Sequence, residues 1–165
     1  MNTRGDLGRV RRFGDNLTTD DVIAGKYKHE TNDLDVLARH AMENVRPGFH
    51  EEIRPGDFVV AGTNFGCGSS REQAPAVLKH LGIRAVIAET FARIFYRNAI
   101  NIGLTVLECP TGRIEEDDLL GYDAATNTVE VPARGIELTP SPVPGDLKAI
   151  VEAGGLLAYV REEVL

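Results

Sequence analysis

FVVAGTNFGCGSSREQAPAVLKHLG, residues 58–82, passes from a short apolar run through a glycine-rich loop into an amphipathic helix. Phe58 to Ala61 is uniformly apolar, the pattern of a strand covered on both faces. From Ser70 to about Leu81 the apolar residues Ala74, Val77, Leu78 and Leu81 share one helical face, and Gly82 supplies the stop. Two more strands of the buried type follow, Ala85–Ala88 and Leu104–Leu107. A helix from Thr90 to about Ile100, carrying Phe91, Ile94 and Phe95, lies between them. This order of strand, loop, helix, strand, helix, strand predicts a parallel sheet with helical crossovers.

Toward the N-terminus, Gly8–Phe13 reads as a strand with Arg9, Arg11 and Arg12 on a solvated face. DNLTTDD, residues 15–21, is rich in side chains that bond local backbone and reads as a loop. Asn32 or Asp33 can cap a helix in which Leu34, Leu37, Ala38, Ala41, Met42 and Val45 form an apolar stripe, ended by Pro47-Gly48. Arg54–Asp57 is a turn. In the last third, Thr128–Val131 and Ile136–Leu138 read as short antiparallel strands, and PSPVP, residues 140–144, as a stiff connection. A short helix over Leu147–Ala153 is closed by Gly154-Gly155. The fold class is therefore α/β with a mixed sheet and helical crossovers, and residues 1–165 are expected to form one domain.

The formal charge of -7 argues against non-specific nucleic-acid binding, which needs clustered cations. No apolar run is long enough to span a bilayer, and MNTRGDLGRVRRFGD has no apolar stretch of the secretory kind, so a cytoplasmic location is expected. Cys67 and Cys109 are expected as free thiols; without CxxC spacing, two cysteines cannot supply a four-thiolate site. His29, His40, His50 and His80 show no metal-site spacing, so no metal ligand is assigned.

The glycine loop fails three standard tests. No lysine follows Gly68, as a phosphate-binding P-loop requires. Gly66-Cys67-Gly68-Ser69-Ser70 runs into Arg71 and not into the third glycine of a dinucleotide fingerprint. Neither serine is bracketed as in a hydrolase elbow. Ser69-Ser70-Arg71-Glu72 does match a capping box, so Ser69 as a simple helix cap is one reading. That reading explains neither the glycines, which let something approach the backbone closely, nor Arg71. A helix N-terminus beside an arginine fork suits a small carboxylate. A serine held there, Ser69 or Ser70, is a candidate base for a proton α to that carboxylate.

GTNFGCGSSREQAP, residues 62–75, resembles the active-site loop of the swivelling β/β/α domain of the aconitase superfamily. Within it the likeness is to the small-subunit family of the 3-isopropylmalate dehydratases. Two further motifs resemble the family in order: DNLTTD, residues 15–20, with Ile23 and Gly25-Lys26-Tyr27, and FARIFYRNAIN, residues 91–101, followed by Gly103-Leu104. The resemblance implies a heteromeric hydro-lyase that interconverts 2- and 3-isopropylmalate through the unsaturated acid, in leucine biosynthesis. It implies a large subunit whose three cysteines hold a [4Fe-4S] cluster, the Lewis acid that takes the hydroxyl; this chain binds no cofactor alone.

By position, Ser69 matches the catalytic base and Ser70 and Arg71 the substrate-carboxylate contacts. Thr19 and Asp20 are expected to position the loop, Cys67 to lie in it without ligating, and the segment around Arg93 and Asn98 to support it. The substrate-specificity loop is Tyr27, Lys28, His29, Glu30 and Thr31. Isopropylmalate enzymes often read YLRT here and homoaconitases YLVY. Tyr-Lys-His-Glu-Thr leaves other hydroxy acids open, including homocitrate, citramalate and 2,3-dimethylmalate. A non-catalytic carboxylate-binding protein is the alternative of a different class.

Overall fold

A computed structural model describes residues 6–164. Its elements are β1 (Gly8–Arg12), α1 (Thr19–Val22), α2 (Gly25–Lys28), α3 (Leu34–Ala38), α4 (Phe49–Glu52), β2 (Phe58–Val60), α5 (Gln73–His80), β3 (Ala85–Ala88) and α6 (Arg93–Asn101). They continue with β4 (Thr105–Glu108), β5 (Leu119–Asp123), β6 (Thr128–Val131), a 3₁₀ turn (Pro132–Arg134), β7 (Ile136–Leu138), α7 (Gly145–Glu152) and α8 (Leu156–Val164). One seven-stranded sheet runs in the order β4-β3-β2-β1-β5-β6-β7. Strands β1 to β4 are parallel, with Val10 opposite Phe58, Val59 opposite Val86 and Ile87 opposite Leu107. From β1 outward through β5, β6 and β7 every pairing is antiparallel.

Uniform apolarity of the central strands has a direct cause. Side chains alternate between faces along a strand, and both faces here are buried. Val59, Val86, Ala88 and Val106 join the core under the helices, with Leu37, Leu78 and Phe95. Phe58, Val60, Ala85, Ile87 and Leu107 join a second core with Leu120, Val129 and Ile136 of the antiparallel strands. The antiparallel half thus curls over the back of the parallel half, giving β, β and α layers as expected.

Three local expectations are corrected. The helix predicted across Leu34–Val45 ends at Ala38, although Asp33 does cap it, accepting from the Asp35 N–H. Beyond it Met42 takes a left-handed φ of 59° and donates its N–H to the Val22 carbonyl. That conformation costs about 1–2 kcal/mol, whereas complete burial of Met42 returns about 1.5–3 kcal/mol. The apolar stripe is satisfied by turns in place of a helix. DNLTTDD is not all loop: Thr18 and Asp21 form a reciprocal capping box that starts α1. The arginine face of β1 is not simply solvated, because Arg11 is largely buried and paired with Glu52, Glu116 and Asp117. The sequence patterns do not point to α2, α4, β5, the 3₁₀ turn or α8. Among the described residues no helix is long and apolar enough to cross a membrane.

Candidate functional site

The loops that leave the C-terminal ends of β1 and β2 run side by side, the place where open α/β sheets hold ligands. Their backbones are bonded repeatedly. Asn16 donates to the Thr63 carbonyl (2.8 Å), Gly66 to Leu17 (2.7 Å) and Thr19 to Cys67 (2.9 Å). The Asp15 carboxylate accepts the Thr63 N–H at 2.8 Å, and the buried Thr19 hydroxyl donates to the Ser69 carbonyl at 2.8 Å. Thr19 therefore fixes the height of the loop at the serine.

What comes close to the glycines is, at two of them, the protein itself. A Cβ on Gly62 would lie 1.7 Å from the Asp15 carboxylate, and one on Gly66, at φ 83°, would lie 2.3 Å from the Phe95 ring. At Gly68, φ 98°, the nearest atom is 3.8 Å away. Only this third glycine, next to Ser69, borders open space.

The capping box read at Ser69 and Glu72 does not form. Helix α5 begins at Gln73, with Glu72 in the cap position and no side-chain capping bond. Ser69 and Ser70 are exposed, and neither hydroxyl has a partner among the described residues. The helix end lies beyond the serines and carries the Glu72 carboxylate, so the cation of the site is Arg71 and not a row of helix N–H groups.

Arg71 is anchored on one side only. Its Nη1 donates to Asp20 Oδ1 at 2.6 Å and to the Ile23 carbonyl at 3.0 Å. Asp20 Oδ1 also accepts the Gly25 N–H at 2.9 Å. The Arg71 bond, followed by that of Gly25, holds the Asp20 carboxyl below its usual range. A Cβ on Gly25 would sit 2.7 Å from Arg71 Nη2, so this glycine is required for the guanidinium to lie against the backbone. Nε and Nη2 have no acceptor among the described residues, which leaves that edge of the fork for a carboxylate. The side chain is 17% exposed, so the cation is partly desolvated.

Residues 25–31 begin at this arginine. Helix α2 carries Tyr27, whose ring stacks on His40 with centroids 3.9 Å apart and planes 9° apart. The Tyr27 hydroxyl donates to Glu43 Oε1, and Glu43 Oε2 meets His40 Nδ1 at 2.9 Å. The Glu43 bond pushes the Tyr27 hydroxyl pKa up. Burial alone would raise Glu43, but its bonds from Tyr27 and His40 outweigh that and bring it down. His29 and Glu30 are exposed, and Thr31 Oγ1 accepts the Asp33 N–H at 3.0 Å. The Lys28 side chain lies outside the described residues. His40 and Glu43 went unnoticed in the sequence because nothing in their own spacing points to a tyrosine thirteen and sixteen positions earlier.

Both thiols are free. Burial, reinforced by Glu89, pushes the Cys109 thiol up to about 11, a core group and not a thiolate ligand. Cys67 is half-buried within the loop. One accessible thiol does not fit the ligand set of an iron–sulfur cluster, and no group of three His, Cys, Asp or Glu suited to a metal occurs among the described residues.

The family model described as Aconitase C-terminal domain matches residues 14–112, from the loop after β1 to just beyond β4. The chain belongs to this family. The aconitase C-terminal domain here is 51% identical over 156 residues to the 3-isopropylmalate dehydratase small subunit 1 of Archaeoglobus fulgidus, covering 94% of this chain and 96% of the relative. It is also 50% identical over 157 residues to the methanogen homoaconitase small subunit of Methanothermobacter thermautotrophicus, covering 95% and 91%. Its backbone resembles the crystal structure of 3-isopropylmalate dehydratase from Methanocaldococcus jannaschii, with a TM-score of 0.91, 41% identity, and 95% and 93% coverage. The aconitase-type fold expected from the three motifs is the fold observed.

Proposed function

We propose that this aconitase-type domain is the small subunit of a cytoplasmic, heteromeric hydro-lyase that interconverts 2- and 3-isopropylmalate by dehydration and rehydration, in leucine biosynthesis. Likeness over nearly the whole length of small subunits so named supports the substrate. The observation that carries the chemistry is an exposed, unpartnered Ser69 hydroxyl two residues from the open edge of the Arg71 fork.

In this reading Nε and Nη2 of Arg71 grip one substrate carboxylate, and the Ser70 hydroxyl gives it a second contact. Ser69, in its deprotonated form, accepts the proton from the carbon next to that carboxylate. The hydroxyl leaves the neighbouring carbon and a double bond forms; addition of water in the opposite sense gives the isomer. Asp20 and the Ile23 carbonyl keep the guanidinium in register, and Thr19 holds the loop that carries the base. Departure of the hydroxyl needs a Lewis acid, assigned to a [4Fe-4S] cluster on the large subunit, since the residues of this chain do not fit one.

A second reading keeps the mechanism and changes the acid. The polar Tyr27–Thr31 segment and the 50% identity to a homoaconitase small subunit favour a longer tricarboxylate. The test is anaerobic turnover of the chain reconstituted with its large subunit on 3-isopropylmalate, homocitrate, citramalate and 2,3-dimethylmalate. Preference for 3-isopropylmalate is expected. Preference for another acid moves the assignment to the second reading, and turnover of none leaves a carboxylate-binding protein.

A further inference from the structure

The first two turns of α6 present Arg93, Ile94 and Arg97 to solvent, while Phe95, Ala99 and Ile100 on the opposite side are buried. Ile94 is 50% exposed. Neither arginine has an ion-pair or hydrogen-bond partner among the described residues, whereas Arg11, Arg46, Arg71 and Arg134 are all paired with carboxylates. In a chain of net charge -7 this is a local cationic patch around an apolar centre. Such a patch does nothing for the fold: moving Ile94 out of water would be favourable, and two unpaired cations side by side repel.

The patch is fastened to the serine loop. Phe65 donates its N–H to the Thr90 carbonyl at 3.0 Å, and Ala92 donates to the Phe65 carbonyl at 2.9 Å. The Phe65 and Phe95 rings meet edge to face with centroids 5.1 Å apart, and Gly66 lies directly on Phe95. The start of α6 is therefore joined to the glycine loop at Phe65 and Gly66, three residues before Ser69. Ser69 is open to bulk solvent, which closing a site over a base and its substrate displaces. A partner that roofs Ser69 can reach the start of α6, which the Phe65–Gly66 segment links to the same loop.

We infer that Arg93, Ile94 and Arg97 form the docking face for the large subunit, with Ile94 entering an apolar pocket bordered by acidic side chains. The inference rests on the small-subunit reading above. It adds a specific surface and the chemistry of the surface it meets. Cationic flanks speed encounter and set orientation, and the isoleucine adds an apolar anchor.

The test is the dissociation constant of the complex with the large subunit, measured for the full chain at low and moderate salt. Ile94→Asp is expected to weaken assembly about tenfold or more. Arg93→Glu with Arg97→Glu is expected to weaken it comparably and to reverse its salt dependence, because like charges then face each other. Ile94→Ala and the double alanine variant give smaller losses in the same direction and guard against misfolding, which the melting temperature of each free chain reports. Leu119→Asp is the control: Leu119 is 44% exposed on β5 and pairs with Arg9 near the start of β1, away from the serine loop. Unchanged affinity in the α6 variants, or an equal loss in Leu119→Asp, overturns the docking face while wild-type assembly keeps the small-subunit reading intact. If Ile94→Asp instead turns an oligomer of this chain alone into monomers, the face joins two copies and the inference fails. If the wild-type chain does not bind the large subunit, the small-subunit reading falls and takes this one with it.

Discussion

Gly66→Ala and Gly68→Ala separate the two reasons a loop can need glycine. At Gly66 an alanine would have to hold φ 83° and place its methyl 2.3 Å from the Phe95 ring. The backbone strain is about 1–2 kcal/mol and the overpacking about 1–3 kcal/mol, together about 2–5 kcal/mol. Phe95 cannot step aside, because it is buried and packed against Phe65 and Phe91. For a chain of this size the melting temperature falls by about 2–4 °C per kcal/mol, so Gly66→Ala is expected to lose about 4–20 °C. At Gly68 the nearest atom to the methyl is 3.8 Å away, and only the strain of φ 98° remains. Its loss is about 2–8 °C. Thermal unfolding of the free chain by circular dichroism measures both, and turnover of each reconstituted variant completes the comparison. Gly68→Ala is expected to keep its fold yet lose turnover, because the added methyl borders the open space beside Ser69. A Gly66→Ala variant that melts with wild type, or above Gly68→Ala, would refute the packing explanation and return Gly66 to the role of ligand approach.

Further outcomes test the site and its supports. Ser69→Ala should abolish turnover and leave assembly unchanged; near-wild-type turnover would remove Ser69 as the base. Arg71→Lys should raise KM and lower kcat, since a point charge cannot hold Asp20, the Ile23 carbonyl and a carboxylate in one plane, and kcat/KM should drop about tenfold to a hundredfold. Tyr27→Phe removes the bond to Glu43, worth about 0.5–1.5 kcal/mol, and should change the ratio of kcat/KM between two hydroxy acids, while Glu43→Gln, which still accepts that bond, should change it less. Glu116 is held down to about 2 from 4.5, first by Arg46, whose bond and that of Arg11 and the Arg12 N–H overcome burial. Its folded pKa is depressed, so its contribution is complete above pH 4.5 and is lost as pH falls toward about 2. Urea midpoints of Glu116→Gln should therefore lie below wild type at pH 7 and converge with it near the acid end of that window.

Much of the fold was legible because burial on both sides of a strand leaves an unmistakable run of apolar residues. Phe58–Val60 and Ala85–Ala88 were read almost to the residue, and the β/α alternation around them implied parallel order. The stripe from Leu34 to Val45 misled because burial, not helicity, is what apolar spacing reports; Ala41 and Met42 reach the same core through turns. S/T-x-x-D/E occurs at Thr18 and again at Ser69, and sequence could not tell which pair caps a helix. In the structure Thr18 and Asp21 close on each other, whereas α5 starts only at Gln73 with no side-chain cap. Strand β5 escaped notice because Leu-Leu-Gly-Tyr-Asp has no two-residue alternation; its place is set by pairing with β1 and β6.

The sequence by itself determined the residue types of the candidate site, in one short loop: a serine, a second serine and an arginine within three positions. Their chemistry depends on side chains, and side chains are written in the chain. Only the tertiary structure decided what surrounds them. It brought Asp20, Ile23 and Gly25 to Arg71 across some fifty positions, clamped Tyr27 between His40 and Glu43, and filled the space over Gly66 with Phe95. Such contacts come from the parallel register of β1 and β2, which sets two distant loops side by side, and no local pattern encodes that distance.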